Sequence, residues 1–350
     1  MTEVKVAIID DCFREVKVAG HSIVRPSHGL ICLRYFKAFA HQQNVSLVPT
    51  VSSPNEQAPV ECMVHALSAL KKARPDLVVM SMGTTNPLVA DQLVQEAFEL
   101  VQRDVVIVCA CSNEDIVSFP ASIPGIIGVR NDRQNILQAG FFSYIDNPID
   151  GIDVVASPLS LPNTRIKPAS NSLAAQYVGA LICNIMCKDG IRGISSIRAA
   201  LTQQSVAFPH DFSYYQRTLN NGNCPHGGTI RFVGDAETAE KIAARLSVLF
   251  ARDGYSIGTV TQAGSTEITK LWFALQDSFP HESISRKEKI SFLFQLAKID
   301  LLFLLPDVGE YPADVTVLVS ATEIGNATFS ADCSDCELMQ GYLSILAAFD

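Results

Sequence analysis

The chain has 350 residues, 48 % of them apolar and 18 % charged, which suggests two domains, or one large domain with an appendage, supplies a sizeable core and argues against a disordered chain. Its formal net charge of -9, with no basic patch interleaved with aromatics, argues against nucleic acid and anionic membrane as partners. MTEVKVAIIDD enters a strand pattern with no signal-like segment before it, and FLFQLAKIDLLFLL is interrupted by Lys298 and Asp300, so neither export nor a membrane span is expected.

In chain order, VKVAII predicts a buried strand, residues 28–40 a helix and VSLVPTV a strand. Residues 60–73 read as a helix, LVVMSMG as a strand, residues 89–101 as a helix, and VVIVCAC and GIIGVR as strands. Strands alternating with helices predict a doubly wound, mainly parallel α/β sheet, and strands apolar throughout fit a sheet covered on both faces. From residue 205 to 228 the pattern breaks into mixed aromatics, Asn, Gly and Pro, which marks a domain junction. Beyond it, TIRFVG, YSIGTVTQ, IDLLFLL and VTVLVSA read as strands, and residues 236–252, 266–278, 285–298 and 337–348 as helices. The expected division is a first domain over 1–218 and a smaller α/β domain over 219–350.

Four stretches of the first part combine into one chemistry. VAIIDDCF ends a strand in a carboxylate, at the sheet edge where open α/β proteins build their sites. SHGLICLRYF puts His28 at a helix start, VVIVCACSNE runs a strand out into Asn113, and SNSLAAQYVGAL puts Ser172 at the head of an apolar helix. Singly, each is an ordinary turn or cap residue. Together, Asp10, His28, Asn113 and Ser172 supply what acyl transfer by serine requires: a nucleophile, a base, a carboxylate to orient that base, and an amide donor for the oxyanion.

Residues 4–205 resemble the catalytic domain of the subtilisin-like serine peptidases. The order Asp, His, Ser is the one found in that family. VKVAIIDD resembles the strand bearing the catalytic Asp, and SHGLICL the His-Gly helix start. LVVMSMGTT is similar to the substrate-pairing strand and VVIVCACSNED to the strand leading to the oxyanion Asn. SFPASIPGIIGVR, FFSYIDNPIDGIDVVASP and ASNSLAAQYVGAL follow in family order. The resemblance implies Asp10 (with Asp11 as runner-up), His28 and Ser172 as the triad and Asn113 as oxyanion donor. It implies Ser81, Met82 and Gly83 as the strand that pairs with substrate, and Glu114 at the rim of the first specificity pocket, where it would favour a basic side chain. Cys12, Leu30, Ser170 and Gln176 stand where the family has Gly, a small residue, Gly and Pro. No inhibitory propeptide and no metal or other cofactor is expected.

The expected function is hydrolysis of a peptide or precursor peptide, such as leader removal in the maturation of a ribosomally made product. The alternative is an inactive subtilisin-like module that binds peptides or scaffolds a complex. The ten cysteines, without a signal, fit reduced thiols in the cytoplasm. Cys333 and Cys336 have zinc-knuckle spacing, with Cys224 and His226 as the candidate further ligands, but two reduced thiols at a helix start is the favoured reading. Cys109 and Cys111 alternate on one strand face, as core residues do. Gly234 is followed by DAETAEK, so the second part lacks a phosphate-cradling loop. Recognition or dimerisation is the expected role there, with a homo-oligomer or a biosynthetic complex left open.

Overall fold

The computed structural model describes residues 3–17, 24–41, 44–51, 58–161, 169–219, 227–262, 266–275, 284–309, 311–319, 327–330 and 332–349. His21, Cys224, His226 and His281 lie outside the described residues. The chain divides into two compact units, Met1–His210 and Asp211–Asp350.

The first unit contains strands β1 (Val6–Asp10), β2 (Glu15–Lys17) and β3 (Val24–Pro26), helix α1 (His28–Phe39), β4 (Val45–Pro49), α2 (Val60–Ala73) and β5 (Leu77–Met80). It continues with α3 (Asp91–Val101), β6 (Val106–Ala110), β7 (Ile127–Asn131), β8 (Phe142–Tyr144), β9 (Val154–Ala156), α4 (Asn171–Asp189) and α5 (Ile194–Gln204). Seven strands form one sheet in the order β4-β1-β5-β6-β7-β9-β8, parallel throughout except for the antiparallel β8–β9 pair. Every residue of β1, β5, β6, β7 and β9 is buried, as expected of strands covered on both faces. Alternate residues Val6, Ile8, Val79, Val108 and Val129 share one core cluster with Phe36 of α1 and Ala174, Val178 and Ile182 of α4. The β2–β3 ribbon is antiparallel and lies in the chain between Asp10 and His28.

Helix α4 approaches the sheet closely because it is built from small residues where it crosses β5. A Cβ on Gly179 would stand 2.6 Å from Val79 Cγ2.

The second unit holds α6 (Phe212–Leu219), β10 (Gly228–Gly234), α7 (Ala236–Arg252), β11 (Ile257–Thr261), β12 (Trp272–Ala274) and α8 (Arg286–Ala297). It ends with β13 (Leu301–Leu304), β14 (Val315–Val319), β15 (Ala327–Phe329) and α9 (Asp335–Ala347). Its six strands are all parallel, in the order β12-β11-β13-β10-β14-β15. Ile230, Phe232, Phe303 and Val317 form a core with Ile242, Leu246 and Phe250 of α7 and Leu338, Tyr342 and Ile345 of α9. Capping boxes start α8 at Ser285/Glu288 and α9 at Ser334/Glu337, which satisfy free N–H groups at both helix starts.

Two local expectations differ from the structure. Helix α6 lies inside the stretch expected to be irregular, because Asp211 Oδ1 accepts from Tyr214 N at 2.8 Å and starts a turn. Of the helix expected over 266–278, residues 276–278 lie outside the described residues; the described part is instead a single tight turn, Ile268–Lys270, ended by Leu271 at φ +50°, after which Trp272–Ala274 pairs with β11. An L residue in the left-handed region stops helix propagation, and the Trp-Phe pair suits a pleated surface. No helix among the described residues is long and apolar enough to cross a membrane.

Candidate active site

Asp10 ends β1 and is 1 % exposed. Its Oδ1 accepts from Asp11 N at 2.8 Å and meets His28 Nδ1 at 2.7 Å, while Oδ2 is buried with no hydrogen-bond partner. Asp11 does different work. Its Oδ1 accepts from Gly29 N at 2.8 Å and from Cys12 N, so it ties the first turn of α1 to the end of β1. Of the two neighbouring carboxylates, it is Asp10 that reaches the imidazole.

His28 opens α1 behind the cap residue Ser27, whose Oγ accepts from Leu30 N at 3.3 Å. Ser27 Oγ also donates to Cys12 O at 2.6 Å, so the cap fixes the helix to the loop after β1. Gly29 is required at the crossing, since a Cβ there would stand 2.4 Å from the Cys12 carbonyl oxygen. The His28 side chain is 46 % exposed. Its hydrogen bond to Asp10 raises the imidazole pKa above its ordinary value; burial opposes this, and the charges of Asp10 and Asp11 add to it.

One turn further along α1, Cys32 Sγ lies 3.9 Å from both ring nitrogens of His28 and accepts from Ser81 Oγ at 3.5 Å. Burial pushes this thiol well above its usual range, so it is a neutral packing group rather than a thiolate. Ligand atoms of Asp10, His28 and Cys32 lie within 4.8 Å of one another, and these three residues could together offer N, O and S donors to a metal ion. Cys333 is buried and Cys336 exposed, and among the described residues neither belongs to a potential metal cluster.

The chain leaving β5 passes through Ser81, Met82 and Gly83. A Cβ on Gly83 would stand 2.4 Å from Phe119 O, and the next residue, Thr84, exchanges backbone bonds of 2.8 and 2.7 Å with Phe119. Ser172 is the second residue of α4 and 5 % exposed; the cap is Ser170, whose Oγ accepts from Leu173 N at 3.3 Å. Ser170 sits at φ -112° and ψ 148°, so the cap needs no left-handed backbone and no glycine. Ser172 Oγ donates to Ser81 O at 3.4 Å. Gln176, one turn on, sends Nε2 to Ser81 Oγ at 2.8 Å, and its buried Oε1 has no partner.

Asn113 and Glu114 follow β6 and are exposed. Arg133 donates to both the carbonyl oxygen and the Oδ1 of Asn113, at 2.7 and 3.2 Å. Glu114 N donates to Ser112 Oγ at 3.2 Å. Asn171 joins the loop after β6 to the α4 start: its Nδ2 donates to Ser112 O at 2.7 Å and Asp115 Oδ1 at 3.2 Å, and its Oδ1 accepts from Asn131 N at 2.9 Å.

Asp10 and His28 are thus in direct contact, and Ser172 is linked to Ser81 and through it to Gln176 and Cys32. Among the described residues no hydrogen bond joins His28 to Ser172, and none joins either to Asn113. Sequence reasoning did not reach Arg133, Asp115, Asn171 or Cys32 as parts of the site. For Cys32 a signal existed, because positions four apart on a helix are neighbours.

No protein-family model matches this chain, and no curated protein does. Among solved structures, similar ones include the patellamide maturation protease PatA, at 13 % identity over 60 % of this chain and 89 % of that one, with a TM-score of 0.39. The self-cleaved protease domain of PatA is 14 % identical over 58 % of this chain and 88 % of its own, with a TM-score of 0.38. The PatG macrocyclase in complex with peptide is 13 % identical over 59 % and 83 %, with a TM-score of 0.39.

Proposed function

We propose that the first unit is a subtilisin-like serine peptidase with Ser172 as nucleophile, His28 as general base and Asp10 as the carboxylate that orients it. The observation that carries this reading is the 2.7 Å pair of a buried strand-end carboxylate with a half-exposed histidine, beside a helix that starts with a buried serine. With Nδ1 held by Asp10, the His28 tautomer leaves Nε2 to take the Ser172 proton. Ser172 Oγ leaves Ser81 O, attacks the scissile carbonyl carbon and forms the acyl-enzyme; the proton passes from His28 to the departing amine. Water, deprotonated by His28, then releases the acid and restores the serine.

The oxyanion donors in this reading are Asn113 Nδ2 and the Ser172 N–H, one of the first-turn donors that an α-helix leaves without an internal partner. An extended peptide would add its backbone to Ser81–Gly83, and Glu114 would favour a basic residue before the cut. The substrate proposed is a precursor peptide in the cytoplasm, with leader removal as the specific role; residues 211–350 would serve recognition or dimerisation. A serine-directed fluorophosphonate should label the wild type and not Ser172→Ala.

One observation favours a second reading, a module that binds peptide without cutting it. Ser172 Oγ is engaged by the Ser81 carbonyl rather than by His28. A folded wild type that binds peptide and takes no label supports that reading.

A further inference from the structure

Arg133, two residues beyond β7, grips Asn113 with both terminal nitrogens of its guanidinium. Nη1 donates to Asn113 O at 2.7 Å and Nη2 donates to Asn113 Oδ1 at 3.2 Å. Nη1 also meets Asp115 Oδ2 at 2.9 Å. Asp115 is buried, and its Oδ1 accepts from Arg130 Nε and from Asn171 Nδ2, each at 3.2 Å. Asn171 immediately precedes Ser172, so one carboxylate braces both the Asn113 loop and the start of α4.

The chemistry of this grip has a direction. A guanidinium only donates, so the oxygen of the Asn113 amide must face Arg133. The Nδ2 group is what remains, and among the described residues it makes no hydrogen bond. An exposed amide without such a hold turns broadly about its last torsion, and half of its orientations present oxygen rather than N–H. An oxygen lone pair facing a developing oxyanion would repel it.

We infer that Arg133 is a positioning residue for oxyanion stabilisation: it holds Asn113 so that Nδ2 is the group presented. This rests on the peptidase reading above. Arg133 acts through Asn113 and touches no reacting atom. Its planar fork matters as well as its charge, so lysine is a partial replacement.

The test is the kinetics of fluorophosphonate labelling. Ser172 Oγ forms a bond to phosphorus, the phosphorus–fluorine bond breaks, fluoride leaves, and His28 takes the hydroxyl proton; the phosphoryl oxygen occupies the oxyanion position. Asn113→Ala is expected to slow labelling at saturating probe about 100-fold. Arg133→Ala is expected to slow it about 10-fold, with the half-saturating probe concentration unchanged and Arg133→Lys in between. In an Asn113→Ala background, the further change Arg133→Ala should cost less than about 2-fold. Labelling by Arg133→Ala at the wild-type rate overturns the assignment. So does a loss of equal size with and without Asn113, which would mean a general structural role. If Arg133→Ala does not fold, Arg133→Lys carries the same comparison in both backgrounds. A wild type that takes no label overturns the peptidase reading and this assignment together, whereas a labelled wild type with an indifferent Arg133 overturns this assignment alone.

Discussion

If Ser172 is the nucleophile and His28 its base, the Asp10–His28 pair would set the pH at which Ser172 reacts. General-base action needs neutral imidazole, and the hydrogen bond to Asp10 raises the pKa of His28. The acid limb of Ser172 labelling should therefore lie above the ordinary imidazole range of about 6.5. Asp10→Asn removes the charge and the cause of the shift, so the limb should move to lower pH. The plateau rate should fall by up to about 10⁴-fold, because the ring tautomer is no longer enforced. A limb that stays in place in Asp10→Asn would mean that His28 is not the titrating base. Pattern placed Asp10 at a strand end and His28 at a helix start, where each read singly as a turn or cap residue; it was their combination with Asn113 and Ser172, and the motifs around them, that singled the pair out. Arg133 was not legible in the sequence, because its role depends on a long side chain reaching back twenty residues to Asn113, and nothing in periodicity encodes that contact.

The elements that carry these residues meet at glycines, and there the tolerance is small. Gly29 lets α1 start against the end of β1, where a Cβ would meet a backbone carbonyl that has no freedom to move aside. Gly29→Ala should cost about 1–3 kcal/mol in unfolding free energy, and it should suppress labelling far more than that loss explains, because the strain falls between Asp10 and His28. Gly179→Ala is a useful contrast. Its Cβ would meet the Val79 side chain, away from the reacting groups. It should destabilise by a similar amount in chemical denaturation while labelling per folded molecule stays close to wild type. Equal effects of the two changes on labelling would sink the argument that the β1–α1 crossing positions the pair. At this scale the sequence was informative for buried strands such as Val106–Ala110, whose apolar runs need both faces covered. It was misleading at 266–275, where helical spacing is cut by one left-handed residue, Leu271, that no periodicity reveals.

Buried charge braces parts of the first unit, and its shifted groups should give stability and Ser172 labelling opposite pH trends. Arg130, 1 % exposed, lies between Asp115 at 3.2 Å and Asp150 at 2.5 Å. Asp150→Ala leaves that guanidinium under-compensated and should cost about 3–5 kcal/mol, measurable by denaturant titration. Asp153 accepts from Gly128 N at 3.0 Å and from Arg198 at 3.1 Å, yet burial raises its carboxyl to about 6, with the Arg198 charge and the Gly128 bond opposing. A carboxyl raised above its unfolded value binds its proton more tightly in the folded state. Stability from this group is therefore greatest at low pH and declines as pH rises from the unfolded value of about 4 to the folded value of about 6. His28 continues the trend: its folded pKa is also raised, so the Asp10–imidazolium pair stabilises fully below the unfolded value and is lost as pH climbs through the folded one. The reactive form of His28 is gained over that same upper interval. Unfolding free energy should thus fall across the window in which the labelling rate rises. Asp153→Asn should flatten the lower part of the stability curve, and His28→Gln the upper part. A stability curve that rises with pH between about 4 and 7 would show that other groups dominate and that neither shift governs the unit.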